Sequence, residues 1–553
     1  MDLQRTLLIG GLAIVGYLLW QAWQQEYMQA PTAQVETLTV PQTDAVPASD
    51  VPSAKVSSIA TPTTTPITSL PAQDMSQEWI EIETDVLRLW VDPLGGNLVQ
   101  ADLKNYKQTL EPNSPDVRLL NSDAQTLYLA QQGLSSDAGP DSPTLGQARY
   151  QSDQKKYVLA ENQQTLNVDL HWKNESGIAV TKRYVFTRGQ YLFDINYELH
   201  NNSSQTWQGQ VYGQFKSKQG EGHGLLGLAT YQGAAISSPD KRYEKVTYKE
   251  MGKNDLNRSI EGGWLAMLQH YFVSSFIPSS DQNFQYMSFP PEAGVYRIAL
   301  IGPLTSVAPG SSLNTSMKFY LGPKIAENLK LAAPNLDLTL DYGWFWPISV
   351  ALFWVMKKFY EVFSNWGVAI ILVTLVVKMA FYYLSASSYR SMAHMRRLHP
   401  KILSLRERFG SDKQKMSQAM IELYRKEKIN PLGGCLPIIV QIPVFIALYW
   451  VIIESVEFRH APFMLWIHDL SAKDPYYILP IIMGISMLLQ QKLSPPPPDP
   501  MQAKVLMLMP VLFTILFISF PAGLVLYWVV NNLLSISQQY WITRSVERQA
   551  VKK

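Results

Sequence analysis

Hydrophobic and polar positions alternate in the first half of the chain and run together in the second. Leu87, Leu89 and Val91 are spaced two apart up to the turn-like DPLGGN at Asp92–Asn97, and Tyr191, Phe193, Ile195, Tyr197 and Leu199 keep the same period over nine residues. A period of two puts such residues on one face of a strand, so Trp79 to about Pro334 predicts many strands around one core, a large all-β sandwich. From Trp344 onward the alternation gives way to long apolar runs.

Those runs predict helices. Trp344–Phe363 is aromatic and amphipathic, but its uncharged part, Trp344–Met356, is 13 residues, short of the roughly 20 that cross a bilayer. It predicts a helix lying in the outer interface. Trp366–Leu384, Leu436–Ile453, Tyr476–Gln490, Val505–Phe520 and Leu524–Trp541 predict five spans. Tyr476–Gln490 and Val505–Phe520 rise only about 22 to 24 Å against roughly 30 Å of hydrocarbon, so they borrow flanking residues or thin the bilayer. At the other end Thr6–Trp23 is 18 residues without a charge. Trp20 and Trp23 suit an interfacial belt, and Pro31 after the small residue Ala30 disfavours cleavage, so residues 1–23 predict an uncleaved anchor. Residues 24–76, rich in Thr, Pro, Ala and Ser, predict a flexible linker.

Charge orders these pieces. The net charge of +2 over 553 residues conceals segregation: residues 385–430 hold 11 Lys or Arg against 4 Asp or Glu, and residues 24–60 hold four acids and one base. The positive-inside rule puts the basic segment in the cytoplasm and the linker outside. Residues 454–476, with four acids and two bases, are external, and residues 542–553, with four bases and one acid, are internal. Six spans with both termini cytoplasmic satisfy every segment. In the basic segment Ser411 and Gln414 predict a capping box, Met416, Ala419, Met420 and Leu423 an apolar helical face, and Asn430-Pro431 its end, hence a helical hairpin over 385–430. Its bases could serve topology and lipid headgroups or receive a ribosome or targeting factor. The single cysteine, Cys435, excludes an intramolecular disulfide.

The chemistry concentrates on Lys378, a cation inside the run Trp366–Leu384, where it costs roughly 2.5 to 3.5 kcal/mol near mid-membrane. Two readings fit: it snorkels to the cytoplasmic interface, or it faces a wet cavity with Thr374 and Tyr382, four residues to either side on one helical face. Gly222, Gly224 and Gly227 match GxGxxG, but polar residues precede them and no βαβ unit surrounds them. Walker, HExxH and Cys/His ligand patterns are absent from the sequence. A Ser-Lys hydrolase would need a serine placed better than Ser385 or Ser387. The expectation is therefore no enzyme, cofactor or metal. A transporter using Lys378 and a non-inserting membrane scaffold are the alternatives, although no internal repeat supports transport.

Four further motifs carry a resemblance: NPLGGCLPIIVQIPVFIALYW (Asn430–Trp450), WIHDL (Trp466–Leu470), DPYYILPI (Asp474–Ile481) and FPAGLVLYWVVNNL (Phe520–Leu533). With EGGWLAMLQHYFVSSFIP at Glu261–Pro278, the chain resembles the YidC family of membrane protein insertases over nearly its whole length. The resemblance implies a multi-domain bacterial inner-membrane protein. Its parts would be an anchor (1–23), a linker (24–76), a periplasmic β-supersandwich (77–334), an interfacial helix (335–365), an insertase core of five spans (366–541) and a basic tail (542–553). It implies insertion through a hydrophilic groove, without nucleotide, alone or with the Sec translocon and its accessory subunits. Lys378, Thr374, Tyr382, Gln441, Tyr527, Asn531 and Asn532 are then candidate groove residues, although Gln441, Asn531 and Asn532 could equally tie helices together. Arg396, Arg397, Lys401, Arg406, Arg408, Lys413 and Lys415 are candidates for recruiting substrate through the ribosome or the signal recognition particle system. Nascent membrane proteins and lipids are the implied partners, with no DNA. The family position matching Lys378 is usually arginine, and lysine lacks the planar five-donor fork.

Overall fold

The computed structural model describes residues 51–52, 78–218, 230–253, 256–409, 412–427, 436–494 and 500–551. The anchor, most of the linker, the GxGxxG segment and Asn430-Pro431 lie outside the described residues. The chain divides into two compact units, the second running Asp341–Lys553.

The first unit is built of β-strands. Among the described residues they form an 11-stranded and a 9-stranded sheet. Pairing is antiparallel except where Ile80–Glu83 runs parallel to Lys156–Val158. Leu87–Asp92 and Leu192–Asn201 bury alternate residues, as a pleated strand with one face on a core must. Between Leu87–Asp92 and Asn97–Lys107 the chain reverses through Gly95 and Gly96 at φ 73° and 59°, a left-handed conformation that favours glycine. The sheets meet through aromatic side chains. Phe215 of the larger sheet lies 4.7 Å, ring centre to ring centre, from Phe276 of the smaller one, and Phe276 lies 4.6 Å from Phe319. Among the described residues the unit also carries two short α-helices, α1 (Tyr248–Gly252) and α2 (Ala326–Ala332), and a 3-10 turn at Leu336–Thr339.

One lysine belongs to this core. Lys182, on Ile178–Thr187, is fully buried, and its Nζ donates to the carbonyl oxygens of Gly95 (2.9 Å), Gly96 (2.8 Å) and Gln132 (2.7 Å). The rings of Tyr150, Tyr184 and Tyr197 lie 5.6 to 5.8 Å away. Three acceptors match the three N–H bonds of an ammonium. Asp141, also fully buried, accepts from the Ala148 amide and the Tyr212 hydroxyl. Burial pushes its carboxyl up to about 6, with Lys182 pulling the other way.

The linker expectation needs one correction. Val51 is buried against Tyr212 and Ile301, so residues 24–76 are not spacer throughout. An apolar side chain found a core position that composition could not announce.

The second unit is helical: α3 (Trp346–Phe363), α4 (Trp366–Ala380), α5 (Tyr382–Phe409), α6 (Lys413–Lys426), α7 (Leu436–Glu454), α8 (Ile478–Leu493), α9 (Pro500–Phe517) and α10 (Ala522–Val551). On α3, Trp346, Val350 and Trp354 recur every four residues and are exposed. The adjoining face buries Ser349, Phe353 and Met356.

Two sequence expectations differ here. The run Trp366–Leu384 is not one straight helix: α4 stops at Ala380, and α5 leaves at 68°. The Phe381 amide closes back on the Val377 and Met379 carbonyls, satisfying orphan groups at the break. The capping residue of α6 is Asp412 rather than Ser411. Its carboxylate accepts from the Gln414 and Lys415 amides at 3.1 Å each, and a carboxylate at a helix N-terminus also meets the positive end of the dipole.

Among the described residues no single helix is long and apolar enough to cross a membrane, whereas the bent pair Trp366–Ala380 with Tyr382–Leu398 qualifies together. Ile439–Glu454, Ile478–Leu493 and Ala503–Phe517 are shorter apolar helices.

Candidate functional site

The site grows from the end of α4. Asn365 caps the helix, its carbonyl oxygen accepting from the Val368 amide at 3.0 Å while its amide donates to the Phe463 carbonyl at 2.8 Å. Gly367 then packs so tightly that an added Cβ would lie 2.0 Å from the Phe463 ring. A rigid start places the last turn, and Lys378 sits in it.

Lys378 is half-buried, and its Nζ donates to Ser535 Oγ on α10 at 2.7 Å. Among the described residues it forms no ion pair, and Ser535 is its only hydrogen-bond partner. Phe381, Leu384, Ser385, Val440 and Gln441 line a narrow cleft beside it.

On α10, Tyr527, Asn531, Ser535 and Gln539 follow at intervals of four residues, and all are at least 96% buried. That spacing makes one face of a helix. Gln441 of α7 donates to the Tyr527 hydroxyl at 3.3 Å and to the Asn531 side-chain oxygen. Asn532 donates to Ser486 of α8 at 2.9 Å. Polar side chains of α4 and α7 thus meet one face of α10, while a second polar pair joins α10 to α8.

The predicted residues divide accordingly. Gln441, Tyr527 and Asn531 come together, Lys378 joins them through the cleft and Ser535, and Asn532 faces α8. Thr374 stands apart: it is fully buried, and its hydroxyl donates to the Ile370 carbonyl at 2.6 Å. Tyr382 lies beyond the break with its ring half-exposed. The single polar stripe expected along one straight helix is therefore divided by the bend at Phe381. Ser535, Ser486 and Gln539 were missed. Ser535 and Gln539 continue the four-residue spacing from Asn531, a signal available in the sequence.

In the basic hairpin Arg396 and Arg397 are exposed, Lys401 pairs with Glu427 at 2.7 Å, and Lys415 with Asp412 at 3.3 Å. Arg408 lies over the Phe409 ring. The side chains of Arg406 and Lys413 lie outside the described residues. Among the described residues no cluster of His, Cys, Asp or Glu could hold a metal ion.

Residues 79–355 match the YidC periplasmic domain and residues 358–549 the 60Kd inner membrane protein family. The chain is of the class of inner membrane proteins that carry a large periplasmic β-domain. A protein of Pseudomonas putida (strain GB-1) named Membrane protein insertase YidC is 47% identical over 566 residues, covering 100% of both chains. One of the same name from Marinobacter nauticus is 45% identical, again over the full length of both. Among solved structures, an active YidC insertase with the first transmembrane domain resolved aligns with 84% of this chain and 92% of its own, at 18% identity and a TM-score of 0.38. The chain belongs to the YidC family of membrane protein insertases.

Proposed function

We propose that this chain moves newly made membrane proteins into the lipid bilayer, with Lys378 attracting the acidic flank of the incoming segment into the cleft between α4, α5 and α7. The observation that carries this reading is the state of Lys378: a cation among apolar helices with one neutral partner and no internal counter-ion among the described residues. The barrier to insertion lies in moving polar flanks through hydrocarbon, where each acid costs about 2.5 to 3.5 kcal/mol. A guest carboxylate beside Lys378 exchanges water for an opposite charge and for the amides of Gln441 and Asn531. The chain needs no nucleotide for this, because the hydrophobic segment gains free energy on reaching lipid.

The rest of the arrangement follows as part of the same proposal. Six spans, with both termini cytoplasmic and residues 77–334 in the periplasm, satisfy the charge distribution. The 16 residues of α8 and 18 of α9, about 24 to 27 Å long at 1.5 Å per residue, favour a locally thinned bilayer that shortens the crossing. α3, with its exposed tryptophans, lies in the outer interface. Exposed bases on α5 and α6 recruit the ribosome or the signal recognition particle system, and the protein works alone or beside the Sec translocon, also as a chaperone.

The test is nucleotide-free insertion in liposomes containing only this protein, scored by protease protection of a small single-span substrate with an acidic tail. Activity kept by Lys378→Arg and lost by Lys378→Ala is the expected result. Equal activity in wild type and both variants removes Lys378 from the mechanism, and no insertion by wild type favours a scaffold that depends on the translocon.

A further inference from the structure

Lys378 has a long, flexible stem, and four carbons allow its nitrogen several places to rest, including the snorkelled position at the interface. One contact selects among them. Ser535 Oγ donates its only hydrogen to the Asn531 carbonyl, one turn back on α10, at 2.7 Å. A hydroxyl has one donor and two lone pairs, so towards Lys378 it can only accept, as it does at 2.7 Å. Ser535 is 98% buried, and its side chain has one heavy-atom torsion, so holding it in place costs little entropy.

We infer that Ser535 is a positioning residue for Lys378: its oriented lone pair holds the ammonium against α10 at the edge of the cleft and leaves the other two N–H bonds for a guest carboxylate. A carboxylate in place of Ser535 would neutralise the lysine, and an alanine would release it to the interface. A neutral acceptor whose own hydrogen is already committed fixes the position without cancelling the charge. The inference rests on the groove reading above and extends it to the residue that makes lysine effective there.

The experiment compares two substrates differing only in the tail, Asp/Glu against Asn/Gln, inserted into liposomes by wild type, Ser535→Ala, Ser535→Thr and Lys378→Ala. Losing one hydrogen bond to a charged group predicts a loss of acidic-tail insertion of roughly tenfold or more for Ser535→Ala. The amide-tail substrate is expected to be unchanged, and Ser535→Thr, which keeps the hydroxyl, restores acidic-tail insertion. A loss shared equally by both tails, or none for the acidic tail, overturns the positioning role. The melting temperature of Ser535→Ala, expected to match wild type, keeps a folding defect apart from these outcomes, and Ser535→Thr retains both hydrogen bonds. If Lys378→Ala keeps the acidic-tail preference, the groove reading itself fails. If Lys378→Ala abolishes the preference while Ser535→Ala keeps it, only the positioning inference fails.

Discussion

Each unit of this protein takes a lysine out of water, and the two are treated in opposite ways. Lys182 in the β-unit has three carbonyl acceptors, three tyrosine faces and Asp141 nearby. Lys378 in the helical unit has one serine hydroxyl. A saturated ammonium is a structural tie, since every bond it makes would be lost on removing it. An unsaturated one keeps part of its hydrogen-bonding capacity for something not covalently attached. The difference teaches that burial of a charge does not by itself distinguish scaffold from function, whereas the count of its partners does.

Substituting the two lysines is the harshest way to break that comparison. Lys182→Met leaves three buried carbonyls and the Asp141 carboxyl without their cation, and should cost about 3 to 5 kcal/mol of stability. Lys378→Met should leave stability unchanged within about 1 kcal/mol, because little is orphaned. Denaturant unfolding of the full chain in detergent measures both. Comparable destabilisation by the two substitutions would erase the distinction.

A pH titration sharpens it. The folded Asp141 carboxyl, at about 6, lies above its unfolded value of about 3.9. Its contribution to stability is therefore fully present below that unfolded value and lost as pH rises through 6. Burial lowers Lys182 to about 7, so its own contribution is present at high pH and lost as pH falls through 7, outside this window. Glu83 and Glu244, held low by Lys104 and Arg258, act in the opposite sense at acid pH, so the informative quantity is wild type minus Asp141→Asn. That difference should fall between pH 4 and 6, and a flat difference would remove Asp141 from the cluster's energetics.

Smaller effects probe the packing on either side. A Cβ at Gly484 of α8 would lie 2.1 Å from Thr514 Oγ1 of α9, so Gly484→Val should cost about 1 to 3 kcal/mol, read as a lower melting temperature of the full chain. In the β-unit Val51→Ala should cost about 1.5 kcal/mol by deleting two buried methyl groups, and limited proteolysis should then cut residues 24–76 sooner.

Much of this was legible in the sequence where one residue decides a local outcome. The strand positions of Leu87, Leu89 and Val91 follow from alternation because one face must be buried, and DPLGGN announces its turn. Lys378 shows because a cation interrupts an apolar run. Lys182 was also visible in principle, since it occupies an inward position between Val180 and Tyr184 on an alternating strand. The break at Phe381 was not, because neither proline nor glycine marks it and the carbonyls that close it belong to the helix itself. Ser535 lies 157 residues from Lys378, and only the fold brings a serine of ordinary appearance to that nitrogen. Val51 shows the same limit, since a linker-like composition cannot reveal one side chain docked into a distant core.

Reversing the charge at the groove tests the central claim most directly. Insertion of the same single-span substrate, with an Asp/Glu tail or with a Lys/Arg tail, would be measured in liposomes containing wild type or Lys378→Glu. If the cleft acts through an uncompensated charge, wild type favours the acidic tail and Lys378→Glu favours the basic one. An order of preference that stays the same in both proteins would contradict the account.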